Sequence, residues 1–305
     1  MLAIDRPLAT LEPAAAVTDP ALAISFVEPS YFRGAIPPDR IVLPAGDWIS
    51  HAVLPDGRFY LEAPGVVEAI LSADGRSVVC ALGDGADPRA VEANLLNIVL
   101  GAALTLAGEE PLHATAVEVG GRAIGLLGPS GAGKSTLAAC LIGRGARLLT
   151  DDLLRVAFRD GRVIVHAGPH RLKLFEDPAR RFLPGRLGDG FFNPLSGKMM
   201  IAPGDAPPAG SSTGTPLAAL HYLGDLPGRA APTGVSAIRL PGREVMQVLL
   251  SSAMDDRNVS PERLARQLRF AGRLSSAVPI HALRYPRRFD LMDDVAAEIF
   301  RTALP

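Results

Sequence analysis

Near the middle of the chain stands Gly128-Pro129-Ser130-Gly131-Ala132-Gly133-Lys134-Ser135, and no other feature of the sequence restricts the fold as tightly. The run has the spacing GxxxxGK(S/T). Its flanks fit too, because the apolar stretch Ala123 to Leu127 precedes it and a helical pattern opens at Lys134. Strand, glycine-rich turn and helix in that order imply an α/β fold with a P-loop. Glycines at 128, 131 and 133 let the backbone curl until several N–H groups converge on phosphate oxygens, and the helix adds the positive end of its dipole. Lys134 is expected at the β- and γ-oxygens, the Ser135 hydroxyl on Mg²⁺ and Thr136 at the α-phosphate. A nucleoside triphosphate with Mg²⁺, ATP or GTP, is the expected ligand.

The bulk numbers narrow the partners. With 305 residues, 48% of them hydrophobic, the chain can bury one large core or two smaller ones. Lys+Arg 31 against Asp+Glu 32 leaves a net charge of -1, so neither nucleic acid nor an anionic membrane is expected as a partner and any anion site must be local. Cys80 and Cys140 lie in apolar settings without CxxC spacing, which predicts buried thiols. His166, His170, His221 and His281 make no metal-ligand spacing with cysteine or acid, so no zinc site is expected. Met1 to Val17 carries acids and prolines rather than a basic patch and an apolar run, and does not read as a signal peptide. Leu95 to Ala107 is apolar but short and is interrupted by Asn97, which predicts a buried helix and a cytoplasmic protein.

Along the chain, strands are expected at Ala23 to Val27 and Arg40 to Leu43, and a hairpin of Val67 to Leu71 with Ser77 to Leu82 turns at Asp74-Gly75. Asp87-Pro88 reads as an N-cap followed by proline at the first helical position, with Val91, Leu95, Val99 and Ala103 along one helix face. A second hairpin, Leu112 to Val119 and Arg122 to Leu127, delivers the chain to the loop. After the loop helix come a buried strand, Ala146 to Thr150, the acids Asp151 and Asp152, and a hairpin turning at Asp160-Gly161. The stretch from Pro203 to Pro216 reads as a mobile loop. Helices are expected near 243–254, 261–274 and 291–302, with strands at 219–223, 236–240 and 280–285. The predicted organisation is a β-rich region over 1–87 and an α/β P-loop domain over 88–305.

The loop alone would suit a transporter ATPase, but no LSGGQ-like signature and no distant apolar strand ending in Asp-Glu accompany it. The acid pair follows the loop by only one helix and one strand, which sets Asp151 and Asp152 beside the metal and the γ-phosphate. Over residues 112–156, the elements His113-Ala-Thr-Ala-Val, the loop, Gly-Arg-Gly-Ala-Arg and Leu-Leu-Thr-Asp151-Asp152 resemble the catalytic domain of HPr serine kinase/phosphorylase. The resemblance implies a P-loop kinase domain of the HPr kinase C-terminal, PEP carboxykinase-like type, with ATP and Mg²⁺ as cofactors and a serine hydroxyl as acceptor. It implies that His113 lies near the reacting phosphate and that the acid pair supplies the base and part of the Mg²⁺ site. Asp151 is taken as the base and Asp152, with Ser135, as the metal side, although the order of the two stays open at this point. Such kinases form oligomers, but no stripe in this sequence marks an interface.

The chain departs from the bifunctional family where that family has an acidic residue in an Arg-Gly-rich strand, which supports dephosphorylation. Here stands His170-Arg171-Leu172-Lys173-Leu174. This element, the β-rich N-terminal region and Leu283-Arg284-Tyr285-Pro286 resemble the HPr kinase homologues of lasso-peptide biosynthesis, which implies phosphorylation of a serine at a precursor peptide's C-terminus. Arg171 and Lys173 suit a phosphate or peptide carboxylate, and Lys198 and Arg239 are further cations for the same cleft, with surface exposure the simpler reading of each. Rival acceptors are an HPr-like carrier protein or a small alcohol such as free serine. A rival of another class is a nucleotide-gated peptide-binding module that transfers no phosphate.

Overall fold

The structure is a computed structural model and describes all residues except 1, 6–7, 9–20, 34–35, 37–48, 189, 194–195, 205–213, 255–258 and 305. The strand expected at Arg40 to Leu43 and most of the Pro203 to Pro216 run lie outside the described residues. The chain divides into two units, Met1–Glu110 with Met254–Ser260, and Pro111–Ala253 with Pro261–Pro305.

In the first unit, β1 (Leu2–Ile4), β2 (Leu22–Phe26), β3 (Ser50–Val53), β4 (Phe59–Ala63), β5 (Val67–Leu71) and β6 (Ser77–Leu82) form one sheet in the order β1-β2-β6-β5-β4-β3. A helical rod, α1 (Pro88–Asn94) and α2 (Leu100–Leu106) joined by a π-turn, follows Asp87, whose carboxylate caps it by accepting from the Arg89 amide at 2.8 Å. Val91, Leu95, Val99 and Ala103 all enter the core with Leu61, Leu71 and Val78 of the sheet. Gly75 permits both the turn, at φ 69°, and the rod's close approach, since a Cβ there would stand 2.1 Å from the Ala103 carbonyl oxygen. The rod therefore belongs with the sheet it covers, and the boundary falls after Glu110 rather than at 87. At 19 residues, Pro88–Leu106 is also longer than its apolar stretch suggested, and is long and apolar enough to cross a membrane by length and composition; its apolar side is the one packed on the sheet.

The second unit is built on β7 (Ala114–Val119), β8 (Arg122–Leu127), β9 (Arg147–Thr150), β10 (Val156–Arg159), β11 (Arg162–Val165), β15 (Thr215–Tyr222), β16 (Ser236–Arg239) and β17 (Ile280–Arg284). A separate small sheet, β12 (Leu172–Leu174), β13 (Phe191–Asn193) and β14 (Lys198–Ile201), has the order β12-β14-β13. The helices are α3 (Lys134–Ile142), α4 (Glu176–Phe182), α5 (Gly242–Ser251), α6 (Pro261–Ala277) and α7 (Met292–Ala303).

Period-two alternation explains why the main sheet is covered on both faces. Ile124 and Leu126 join a core with Leu137 and Leu141 of α3 and Val295 and Ile299 of α7, whereas Ala123 and Leu127 join one with Val248 and Leu249 of α5 and Leu274 of α6. Each fully buried Leu or Ile here contributes about 1.5–3 kcal/mol relative to exposure. Cys140 lies in the first of these cores and Cys80 in the N-terminal unit, both buried and unbridged.

Direction decides where chemistry collects. β15 runs parallel to β8 and β17 parallel to β15, while β7 is antiparallel to both β8 and β9. The carboxyl ends of β9, β8, β15 and β17 and the amino end of β7 therefore share one edge, the edge at which open α/β sheets take ligands.

Candidate active site

The loop leaves β8 at that edge. Gly128 (φ 146°) and Gly133 (φ 92°) adopt backbone that side chains rarely enter, and at Gly128 an added Cβ would meet the Ala132 Cβ at 3.1 Å. Gly133 caps α3 without a side-chain hydrogen bond, so the first-turn amides of the helix point into the loop with no side chain bound to the cap.

Lys134 is buried and folds back across the loop. Its ammonium donates to the carbonyls of Gly128 (2.7 Å) and Pro129 (3.2 Å) and lies 3.0 Å from Nε2 of His113, the residue just before β7. Burial lowers its pKa while Asp152 and Asp151 oppose that shift. Burial and the Lys134 charge also lower the His113 pKa, which favours a neutral imidazole whose Nε2 accepts from the ammonium.

The acid pair occupies the turn after β9. The Thr150 hydroxyl donates to the Leu153 carbonyl at 2.7 Å and the Leu153 amide to the Asp151 carbonyl at 3.0 Å, and this tight turn holds Asp152 in left-handed backbone at φ 68°. Asp151 meets the residue that follows Lys134 in the loop motif. One carboxylate oxygen accepts from Thr115 (2.6 Å) and Ser135 (3.3 Å), the other from the Lys173 amide (2.8 Å). The Asp152 carboxylate pairs with the Lys173 ammonium at 2.6 Å.

The electrostatics of the two acids diverge. Burial and the neighbouring Asp152 charge push the Asp151 carboxyl up to about 6, against the pull of its hydrogen-bond donors. Burial works to raise Asp152 as well, but the Lys173 ammonium, by charge and hydrogen bond, and the Arg171 charge outweigh it and hold that carboxyl well below the usual carboxylate range. The pair thus presents one acid hydrogen-bonded to the loop serine and one kept ionised by cations.

The structure brings His113, Gly128 to Thr136, Asp151, Asp152, Arg171 and Lys173 to one place. Of the two acids, whose order the sequence left open with Asp152 taken as the metal side, Asp151 is the one that receives the Ser135 hydroxyl. Lys173, expected to face a substrate, is engaged with both acids, one through its amide and one through its ammonium. The buried Arg171 acts on Asp152 by charge. Lys198 opens β14, lies 5.2 Å over the Phe175 ring and is close enough to depress Lys134. Arg239 stands opposite His281 across the β16–β17 pair and is not part of this constellation. Sequence reasoning missed Thr115, although it falls two residues after His113 and strand alternation puts both on one face. It also missed Arg287, which follows β17 and donates to the loop carbonyl of Ala132 at 2.6 Å.

Residues 104–176 match the family model described as HPr Serine kinase C-terminal domain. This segment contains the loop, the acid pair and Lys173. The HPr kinase/phosphorylase of Limosilactobacillus reuteri is 40% identical over 68 residues, which are 22% of this chain and 21% of that protein. That of Clostridium botulinum is 48% identical over 59 residues, 19% of each. The chain thus matches about a fifth of the length of these curated relatives. Among solved structures, the Hpr(Ser) kinase/phosphatase from Coxiella burnetii aligns with a TM-score of 0.31 and 10% identity, covering 63% of this chain and 94% of that one.

Proposed function

We propose that this chain is an ATP-dependent serine kinase that transfers the γ-phosphate to a seryl hydroxyl of a peptide or protein. The observation that carries the reading is the convergence of the Ser135 hydroxyl and the Asp151 carboxylate at the amide-rich loop, with a second, ionised carboxylate beside it. Two oxygen donors of this kind suit Mg²⁺, which keeps several waters and needs few protein ligands. When bound, the ion supplies charge neutralisation for the β- and γ-oxygens.

The remaining chemistry belongs to the protein. The loop amides and the Lys134 ammonium, once it exchanges its carbonyl partners for phosphate oxygens, hold the triphosphate. Asp152, ionised at neutral pH, takes the proton as the acceptor's Oγ forms its bond to the γ-phosphorus and the bond to the β-bridging oxygen breaks. ADP and the phosphoserine leave. Phosphoryl transfer asks mainly for positioning and charge neutralisation, so a weakly basic carboxylate is sufficient. On this reading Asp151 is the metal-side acid and Asp152 the base, the reverse of the sequence expectation, and Lys173 and Arg171 position Asp152. His113 orients Lys134.

The narrower acceptor, a serine at the C-terminus of a lasso-peptide precursor, is supported by the Arg171-Leu172-Lys173-Leu174 and Leu283-Arg284-Tyr285-Pro286 elements. The test is incubation with γ-labelled ATP and three acceptors: a peptide ending in serine, an HPr-like carrier protein and free serine. Label on the peptide alone is expected. Protein that binds ATP tightly yet labels none of them would sink the kinase reading in favour of a binding module.

A further inference from the structure

The loop divides the sheet's carboxyl edge in two. The acid pair and His113 lie on the β9–β7 side of β8, and on the β15–β17 side a cleft of about 490 Å³ opens against the same loop. Its walls include Thr136 of α3, Asp225 beyond β15, and Tyr285, Arg287, Phe289 and Met292 beyond β17, but neither acid and neither Lys134 nor Ser135.

Arg287 fixes this side of the loop. Its guanidinium donates to the Ala132 carbonyl at 2.6 Å, to the Tyr285 hydroxyl at 3.0 Å and to the Leu223 carbonyl, and so ties the segment after β17 to the loop and to the end of β15. Phe289 is braced by the edge of Phe182, with ring centroids 5.9 Å apart, and by the Arg181 guanidinium 5.1 Å from its own centroid, yet 37% of it is exposed. A half-exposed aromatic ring in a cleft floored by Tyr285 and Met292, with an exposed carboxylate at Asp225, has the composition that takes a flat heteroaromatic ring joined to a polyol.

A nucleoside triphosphate has two ends. If its γ-phosphate faces Asp152, the chain of phosphates crosses the loop and its α-phosphate emerges near Thr136, which lines the cleft. We propose that this cleft holds the nucleoside, with the base stacked on Phe289, the ribose hydroxyls within reach of Asp225 and Arg287 as a positioning residue that keeps cleft and loop in register. The inference rests on the nucleotide-binding part of the function proposed above and adds to it the residues that read the base and sugar.

Calorimetric titration of the full chain with MgATP and with Mg-tripolyphosphate separates the two. Wild-type protein is expected to bind ATP about tenfold or more tightly than tripolyphosphate, the margin one stacked base supplies. Phe289→Ala should weaken ATP by roughly tenfold and leave tripolyphosphate unchanged, with Phe289→Trp restoring ATP binding. Asp225→Ala, at an exposed position, should weaken ATP alone, and serves if Phe289→Ala does not fold. Equal affinity of wild type for both ligands, or equal weakening of both by these variants, overturns the cleft assignment and leaves the phosphate site standing. Wild type that binds neither ligand overturns both.

Discussion

Among the described residues of the P-loop unit, two pairs of neighbouring titratable side chains, buried or nearly so, have opposite surroundings. Asp151 and Asp152 sit at the sheet's edge among donors that a ligand can replace or share: two hydroxyls, an amide and an ammonium. His221 and His281 are register partners on β15 and β17, their rings stacked with centroids 5.4 Å apart. His221 has the Thr302 hydroxyl at 2.8 Å from Nε2, and both Nδ1 atoms are buried without a hydrogen-bond partner. Arg239, Arg301 and Glu298 are the charged groups acting on the pair. Both pairs are electrostatically perturbed, but only the acids combine perturbation with exchangeable partners at a ligand-binding edge, so the acids carry the functional reading and the histidines the structural one.

The largest test of this contrast is Asp152→Asn against His221→Gln in the same phosphotransfer assay. The first should lower phosphoserine formation by about two to four orders of magnitude while calorimetry still shows MgATP binding. The second should leave the rate unchanged. A rate loss of equal size in both would erase the distinction drawn here.

Lys173→Met is expected to cost less, roughly ten- to a hundredfold in transfer, because the Lys173 backbone still donates to Asp151 while Asp152 loses its cation. Its signature is the pH profile. Without the ammonium the Asp152 carboxyl rises toward its ordinary range, so the acidic limb of the rate profile moves to higher pH. A uniform rate loss with an unmoved profile would reduce Lys173 to a packing residue.

The smallest effect concerns the histidines. Burial first, and the His281 charge second, depress His221 to about 3 from 6.5, and His281 is lowered as well. A group depressed in the folded state binds its proton more readily when unfolded, so stability is full above about pH 6.5 and is lost as pH falls toward 3. Thermal unfolding of the wild type should lose on the order of 2 kcal/mol between pH 7 and pH 5, and His221→Gln should flatten that slope. An identical slope in both proteins would place the acid sensitivity elsewhere.

How much of this was legible beforehand follows from what each element depends on. The loop, its flanking strand and helix and the acid pair are local in sequence, and the structure places them as their spacing implied. The helix face Val91, Leu95, Val99 and Ala103 was also correct, but the unit to which that helix belongs was not, because periodicity marks an apolar stripe and not the sheet that covers it. Of the small sheet, β12 was expected as the strand around Arg171 and Lys173, whereas β13 and β14 escaped notice because strands of three or four residues show too little alternation. Arg287 reaches the loop only through the parallel register of β8, β15 and β17, a long-range fact that no window of sequence contains. Which acid meets Ser135 and which meets the Lys173 ammonium depends on partners from other elements, and adjacency in sequence says nothing of that.

That backbone at Asp152 also limits how the site can be altered. Gly, Asn and Asp sit there at least cost, whereas alanine or glutamate would add about 1–2 kcal/mol of backbone strain at the turn that carries both acids. Asparagine and glycine both strip the charge and spare the backbone, and of the two asparagine keeps the side chain's shape. A lineage drifting away from catalysis therefore has a low-strain exit: it can silence the second acid by an amide and keep a working nucleotide clasp, while most other changes also strain the turn beside it.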